Sequence, residues 1–216
     1  VLLLAACESC GGDSEAALAA ACAIECIHTY SLIHDDLPCM DDDDFRRGRP
    51  TCHKVYGDAI AVRAGDALQP MAFELLLQSP AGPGYTTADL VRELAVTAGS
   101  LHLIAGQVRD LEGEGKILTF DELRLIHEGK TAALLTSSLR LGAMIAGASP
   151  SQLEDLTTFG HATGLAFQVI DDILDVTQTS EKLGKTAGKD LAAEKSTYPA
   201  LLGLEASRAE AARLTE

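Results

Sequence analysis

Apolar residues recur along the chain at helical spacing, and no segment alternates with the period of two that a half-buried strand requires. The pattern predicts long helices over residues 14–33, 57–77, 86–108, 119–141, 152–176 and 198–214. Ser14 is a candidate N-cap, and Pro70 is expected to break the second helix. Thr119 followed by Glu122 is typical of a capping box, and Pro150 suits a first helical turn. Short connections between these segments predict one all-α domain, a bundle of packed helices.

Composition and charge restrict the classes of function. Hydrophobic residues make up 47% of the 216 residues and charged residues 23%, which is the balance of a folded globular protein. The formal net charge of −15 argues against broad nucleic-acid binding and against docking on anionic membranes, since both require a positive surface. The longest apolar run, 16–24, is much shorter than the roughly 20 residues of a membrane-spanning helix, so no membrane insertion is expected.

Six cysteines are too few for a disulfide scaffold in a chain of this length. The pairs Cys7–Cys10 and Cys22–Cys26 have spacings that a zinc site could use. Both pairs lie in Ala- and Leu-rich helical sequence, however, where a free cysteine is commonly a small buried hydrophobic residue. Structural thiols are therefore favoured over a metal site, and free thiols suit a reducing, cytoplasmic location.

Two clusters of aspartates follow apolar helical stretches. The first cluster is Asp35, Asp36 and Asp41, and the second cluster is Asp171, Asp172 and Asp175. Asp171 and Asp175 are four residues apart and share a helix face, where like charges repel unless a cation lies between them. Carboxylate oxygens suit Mg²⁺, which completes its octahedron with water and ligand phosphates. Facing each other, the clusters would bind a metal–diphosphate complex, an interpretation favoured over a solvated acidic surface.

Basic residues support a phosphate ligand. Arg46 and Arg47 lie in the loop of the first cluster, and Lys130, Lys185 and Lys195 flank the second in sequence. Arginine forms bidentate contacts with phosphate, and lysine supplies a point charge.

These motifs together resemble the trans-isoprenyl diphosphate synthase (polyprenyl synthetase) family, with the greatest similarity to bacterial farnesyl diphosphate synthases. The resemblance rests on both Asp clusters in order, on Arg46-Arg47-Gly48, and on the intervening motifs 65–68, 106–110, 129–131, 167–168 and 195–199. It extends through nearly the whole chain. It implies the isoprenoid synthase fold, a bundle of long helices around a central cavity, usually as a homodimer.

The implied reaction is the condensation of isopentenyl diphosphate with dimethylallyl or geranyl diphosphate. The family uses Mg²⁺, three ions per site once substrate is bound, and Mn²⁺ would substitute. Residue by residue, the resemblance assigns the six clustered aspartates to the metal, Arg46, Lys130, Lys185, Lys195 and Gln107 to the allylic diphosphate, and His28 and Arg47 to isopentenyl diphosphate. Lys130, Thr131 and Gln168 would act at the reacting centre, and the departing diphosphate would take the proton, so no side-chain base is nominated. His34 is expected to be structural.

Product length depends on what lies beneath the first cluster. Helix geometry places Ser31 directly under Asp35, whereas Tyr30 lies about 140° around the helix. The resemblance nonetheless nominates Tyr30 as the residue that stops a growing chain at fifteen carbons, and Tyr30→Ala would then lengthen the product. A farnesyl product is therefore expected, with geranylgeranyl or geranyl diphosphate as alternatives.

Other interpretations stay open at this point. The family's Gly-Gly-Lys-Arg segment and its last helices have no counterpart between Val1 and Glu216, and we expect the sequence to be a fragment of a longer protein. A non-catalytic subunit of a heteromeric synthase is one alternative, because Cys22-x3-Cys26 matches a motif of such partners. A terpene cyclase is disfavoured by the second cluster. A calcium-binding module is disfavoured by the missing Asp-x-Asp-x-Asp-Gly loop.

Overall fold

The computed structural model describes residues 1–177 and 195–216. Its α-helices are α1 (Leu2–Ser9), α2 (Leu18–Asp35), α3 (Cys52–Tyr56), α4 (Asp58–Leu76), α5 (Thr87–Ala98), α6 (Leu103–Gly113), α7 (Phe120–His127), α8 (Ala133–Ala146), α9 (Pro150–Thr177), α10 (Tyr198–Leu202) and α11 (Leu204–Thr215). A π-helical turn, Glu128–Ala132, joins α7 to α8. The predicted all-α class is confirmed. None of the described helices is both long enough and apolar enough to cross a membrane.

Helix α2 packs mainly on α4, while α8 packs between α1 and α9. Ala17, Ala20 and Ala23 are fully buried, and their small side chains at a spacing of three let neighbouring helices approach closely. His34 crosses to α4, where its Nε2 lies 3.1 Å from the carbonyl of Val62. A Cβ on Gly65 would overlap the His34 ring, so this contact requires glycine. His34 thus has the structural role expected of it.

A short hairpin follows the first cluster. Strands β1 (Phe45–Arg46) and β2 (Arg49–Pro50) pair antiparallel, with Arg46 opposite Arg49. Arg47 and Gly48 form the turn with φ of +53° and +74°, which is the left-handed conformation of a tight hairpin turn. The sequence pattern predicted no strand here, because two residues per strand are too few to show alternation.

Several predicted helix limits are confirmed and others are wrong. Helix α9 matches the prediction, with Pro150 in its first turn, and the capping box of Thr119 and Glu122 is present. Ser14 is not an N-cap, since α2 begins after Ala17. Helix α4 continues through Pro70, because packing on α2 outweighs the loss of one backbone hydrogen bond.

Three predicted helices are divided, one of them (119–141) by the π-helical turn, and two helices, α1 and α3, were not predicted. The segment 86–108 breaks at Gly99, whose backbone is extended, and 198–214 breaks at Gly203, whose φ is +82°. Helix α1 lies at the start of the chain, before the first predicted segment.

All six cysteines are free, as expected, but only Cys7 is buried. Cys22 and Cys39 are exposed, so the interpretation of the paired cysteines as small core residues is wrong for Cys22. This residue lies on the solvent side of α2, where helical spacing turns it away from the buried alanines.

Candidate active site

A cavity of about 920 Å³ opens between α2, α6, the π-helical turn, α8 and α9. One end is polar, and its charged lining includes Asp35, Asp41, Arg46, Asp110, Lys130, Asp171, Asp172, Asp175 and Lys195. The other end is lined mainly by apolar side chains and by a few small residues. This lining includes Leu2, Leu3, Ala21, Ile24, Leu134, Leu135 and Ser138. The two Asp clusters, 130 residues apart in sequence, therefore face one cavity, as predicted from their chemistry.

The first cluster begins where α2 ends. Asp35 is the last residue of the helix, and its carbonyl accepts from the Asp41 N–H at 2.9 Å, which folds the loop back toward the cavity. Burial raises the pKa of Asp35, although Lys130 opposes the shift. The ionised form of a buried carboxylate is stabilised when a cation binds beside it.

Asp36 does not line the main cavity and instead binds Arg46. The guanidinium donates from Nε at 2.8 Å and from Nη2 at 2.6 Å to Asp36 Oδ1. Burial raises the pKa of Asp36, and the hydrogen bonds from Arg46 act against that shift. Arg46 lies on strand β1 of the hairpin, binds Asp36 at the end of α2 and also lines the cavity.

Two lysines converge on one aspartate. Asp110 Oδ2 accepts from Lys130 Nζ at 2.7 Å and from Lys195 Nζ at 3.2 Å. Lys195 also lies 3.1 Å from Asp41, and Lys130 lies 3.6 Å from Asp35. Burial opposes ionisation of Asp110, but the two lysines outweigh it and lower its pKa. Asp110 thus holds the ammonium groups of Lys130 and Lys195 beside the first Asp cluster.

The close approach of α6 to the π-helical turn makes this cluster possible. A Cβ on Gly106 would lie 2.2 Å from the backbone nitrogen of Lys130, so only glycine fits at this contact. One residue later, Gln107 donates from Nε2 to Asp35 Oδ1. The π-helical turn shifts Lys130 and Thr131 relative to a regular helix, a distortion often found at functional sites.

The second cluster lies on the cavity side of α9. Asp172 Oδ1 accepts from Gln168 Nε2 at 3.0 Å, and Asp172 Oδ2 accepts from the backbone N–H of Tyr198 at 2.9 Å. Thr131 Oγ1 donates to Gln168 Oε1 at 2.9 Å. Thr131 and Gln168 both line the cavity, so the predicted reacting-centre residues are brought together with the cluster.

His28 and Arg47, assigned by resemblance to the second diphosphate, are neighbours in the cavity lining. Arg47 Nη2 lies 3.4 Å from His28 Nε2, and both residues line the cavity. Burial lowers the pKa of His28, with further lowering by Arg47 and Arg46 and an opposing effect of Glu25.

The two chain-length candidates point in different directions. Ser31 lines the cavity, whereas Tyr30 is buried, meets the His34 ring edge-on at 5.7 Å and is not among the lining residues of the described chain. The placement of Ser31 follows from helix geometry. The role of Tyr30 in product length stays a prediction. Lys185, the remaining predicted ligand of the allylic diphosphate, lies outside the described residues.

Three residues at the site were not assigned a role from sequence. Asp110 binds both lysines, and Tyr198 supplies the N–H that orients Asp172. His127 stacks on Tyr198, with ring centroids 5.4 Å apart. The available signals were the position of Asp110 three residues after Gln107, on the same helix face, and the position of His127 three residues before Lys130.

The buried histidine predicts a pH dependence of stability. Burial lowers the pKa of His127 from 6.5 to about 4, with Asp110 opposing the shift and Lys130 adding to it. Between these values the unfolded chain binds a proton that the folded chain does not, so the free energy of unfolding falls as the pH falls through this window, by at most about 1.4 kcal/mol per pH unit. Urea unfolding at pH 6.5 and pH 4.5 would measure this loss in the wild type.

His127→Phe keeps a ring against Tyr198 and should reduce the pH dependence, while His161→Gln, on the exposed face of α9, should not. Equal pH dependence in the wild type and in His127→Phe would contradict the interpretation. The carboxylates contribute equally to the pH dependence of the wild type and of each variant. The difference between the two proteins therefore isolates the contribution of the histidine.

The donor set of the cavity fits Mg²⁺. The cavity-facing members of the clusters, Asp35, Asp41, Asp171, Asp172 and Asp175, offer only carboxylate oxygens. These are the ligands that Mg²⁺ prefers, and phosphate oxygens and water would supply the rest.

The whole chain, residues 1–216, matches the family model described as polyprenyl synthetase. Among curated relatives, a chloroplastic geranylgeranyl pyrophosphate synthase of Capsicum annuum is 55% identical over 99% of this chain and 58% of its own length. A heterodimeric geranylgeranyl pyrophosphate synthase large subunit 1 of Arabidopsis thaliana is 53% identical over 99% of this chain and 59% of its own length. The chain therefore spans less than two thirds of the relatives it matches.

Solved structures agree with the sequence matches. A geranyltransferase of Helicobacter pylori, complexed with magnesium and isoprenyl diphosphate, superposes with a TM-score of 0.87 at 38% identity over 99% of this chain and 72% of that one. A farnesyl/geranylfarnesyl diphosphate (FPP/GFPP) synthase of Zymomonas mobilis gives a TM-score of 0.86, again at 38% identity and with the same coverage. With two Asp clusters facing one cavity and a match over its full length, the chain belongs to the polyprenyl synthetase family.

Proposed function

We propose that the protein containing this chain is a Mg²⁺-dependent trans-prenyl diphosphate synthase that joins isopentenyl diphosphate to an allylic diphosphate. The observation that carries the proposal is the polar end of the cavity, where both Asp clusters meet Arg46, Lys130 and Lys195. A negatively charged diphosphate bound here would have positive charge around it, from Mg²⁺ held by the carboxylates and from these basic side chains.

The side chains then have definite tasks. Asp35 and Asp41 would hold Mg²⁺ from one side and Asp171 from the other, with Asp172 and Asp175 completing the second cluster and Asp36 acting through Arg46. Bound Mg²⁺ supplies charge neutralisation of the leaving diphosphate. Lys130 and Lys195 stabilise the same negative charge as the allylic C–O bond breaks and its electron pair leaves with the diphosphate.

The second half of the reaction would take place beside the second Asp cluster, where Thr131 and Gln168 line the cavity. His28 and Arg47 would hold isopentenyl diphosphate so that its double bond adds to the allylic carbon, forming the new C–C bond. Gln168 and Thr131, fixed by their hydrogen bond, direct oxygen dipoles toward the positive charge. A proton then leaves the adduct for the departing diphosphate, which balances the reaction without a side-chain base.

We further propose geranylgeranyl diphosphate, the twenty-carbon product, in preference to the farnesyl product expected from the sequence. The curated relatives above are named as geranylgeranyl synthases. The cavity face of α2 extends from Asp35 down to Ala21, about 21 Å at about 1.5 Å per residue. An extended isoprene unit, with four chain bonds, spans about 4–5 Å by comparison with about 3.5 Å for the three backbone bonds of a residue. Four units, about 16–20 Å, therefore fit this depth.

A pair of variants tests the product length. Ser31→Phe adds a ring to the cavity wall beneath Asp35 and should shift the product from twenty carbons to fifteen or fewer. Tyr30→Ala removes a ring that packs on His34 outside the cavity and should leave the product length unchanged. The products of the full-length protein with Mg²⁺, dimethylallyl diphosphate and labelled isopentenyl diphosphate would be dephosphorylated and sized by chromatography.

A wild-type fifteen-carbon product that lengthens in Tyr30→Ala would restore the farnesyl interpretation and the stopping role of Tyr30. No product from a folded, Mg²⁺-loaded sample would favour the non-catalytic-subunit alternative. Since one relative is named as the large subunit of a heterodimer, homodimer and heterodimer are both assemblies to test, by sedimentation of the full-length protein. A cytoplasmic location likewise stays a prediction.

A further inference from the structure

We propose that Asp42, Asp44 and His53 form a second metal site, separate from the Asp clusters, for a divalent ion of the zinc class. Each residue offers one ligand atom, and the three atoms lie within 4.8 Å of one another. None of the three residues is among those lining the cavity of the described chain. Their chain neighbours Asp41 and Asp43 do line the cavity, so the proposed site adjoins the first cluster without sharing its cavity.

His53 supplies the main observation. Its side chain is only 2% exposed, and its Nε2 has no hydrogen-bond partner among the residues that the structure describes. This nitrogen points toward the cluster and lies 4.0 Å from Asp42 Oδ1. A buried polar nitrogen without a partner is unfavourable, and a ligand between it and the carboxylates would remove the penalty.

The other ring nitrogen fixes the tautomer. Thr51 Oγ1 lies 2.7 Å from the Asp43 carbonyl, 3.4 Å from the Asp44 carbonyl and 3.1 Å from His53 Nδ1. The hydroxyl has one proton, and the short contact to the Asp43 carbonyl uses it. Nδ1 of His53 must therefore carry a proton and donate to Thr51, which leaves a lone pair on Nε2. A histidine oriented in this way through its second nitrogen is typical of metal ligands.

The ligand types indicate the kind of ion. One imidazole and two carboxylates suit Zn²⁺ and its first-row neighbours better than Mg²⁺, which seldom takes nitrogen ligands. With ligand bonds of about 2.1 Å in a tetrahedral site, two ligand atoms lie about 3.4 Å apart. The distance between His53 Nε2 and Asp42 Oδ1 is 4.0 Å, so a small rotation of the Asp42 side chain would bring both atoms to an ion. Asp42 and Asp44 are 62% and 60% exposed, so they are able to turn toward an ion and leave room for water ligands.

Lys54 competes for the same site. Its Nζ lies 2.7 Å from Asp44 Oδ1, an exposed pair that an arriving ion must displace. Removal of Lys54 should therefore tighten metal binding. A gain of affinity is informative because damage to the fold would produce only a loss.

The experiment is a Zn²⁺ titration by calorimetry in excess Mg²⁺, which saturates the Asp clusters, with bound zinc counted after dialysis. Wild type is expected to bind one more Zn²⁺ than His53→Gln. His161→Gln is the matched control, since among the described residues His161 is paired with one carboxylate, that of Glu128, and this variant should bind as wild type does. The free thiols contribute equally to all samples. Asp42→Asn, at an exposed position, should weaken the site at least about tenfold.

Lys54→Met should bind Zn²⁺ several-fold more tightly than wild type. Zinc binding of His53→Gln or Asp42→Asn equal to that of wild type would overturn the proposal and leave His53 as an ion-pair partner of Asp42. Neither readout depends on prenyl transfer, so failure of the zinc site and failure of the proposed synthase activity are distinguishable.

Discussion

Asp110→Asn is expected to lower kcat/KM for condensation by about two orders of magnitude. Asp110 Oδ2 holds Lys130 Nζ at 2.7 Å and Lys195 Nζ at 3.2 Å, so the carboxylate sets the position of both ammonium groups that would meet the leaving diphosphate. Loss of one correctly placed charged donor lowers rates by about 10²–10³-fold, and loss of a group that positions the donors has a smaller effect, about 10–100-fold. Asparagine keeps the shape but removes the charge.

Steady-state kinetics with varied allylic diphosphate would measure the effect, and the fall should appear in kcat as well as in KM. Asp110→Glu, which restores the charge, should recover part of the rate, an outcome that a purely structural role would not predict. Glu112→Gln is the matched control, because Glu112 is an exposed carboxylate on the same helix. Rates for Asp110→Asn within about twofold of wild type would refute the positioning role.

Helix α9 and the start of α7 could be predicted because their signals are local. Pro150 and the Thr119–Glu122 capping box act within one turn, so the sequence around them is sufficient. The break at Gly99 is different, since the apolar pattern continues from α5 into α6 across it. There the packing of α6 on the π-helical turn decides where the helices end, and its closest contact, Gly106 with Lys130, joins residues more than twenty positions apart.

The same distinction applies to the site. The Asp clusters were predictable because buried like charges need a cation, and Ser31 was placed on the cavity by helix geometry alone. The nomination of Tyr30 as the chain-length residue came from resemblance and stays a prediction; the structure shows its ring against that of His34. Asp110 was missed because its function depends on two lysines, one on the π-helical turn and one after α9, that only the folded chain brings together.

Arg46→Ala is expected to lower the free energy of unfolding by about 3 kcal/mol, because it leaves the Asp36 carboxylate buried without its guanidinium partner. Asp36 is only 3% exposed, and Arg46 binds it through Nε at 2.8 Å and Nη2 at 2.6 Å. Since burial already raises the pKa of Asp36, loss of Arg46 should raise it further. Unfolding in urea at pH 7 would measure the change.

The double variant Arg46→Ala, Asp36→Asn should recover much of the lost stability, because the buried charge is then removed together with its partner. Arg49→Ala, on the exposed strand opposite Arg46, is the matched control and should change stability by less than about 0.5 kcal/mol. Equal effects of Arg46→Ala and Arg49→Ala would show that the Asp36 pair contributes no more than a surface contact. A large, rescued effect would establish that the hairpin and the end of α2 are joined through Asp36, which keeps Arg46 beside the carboxylates of the first cluster.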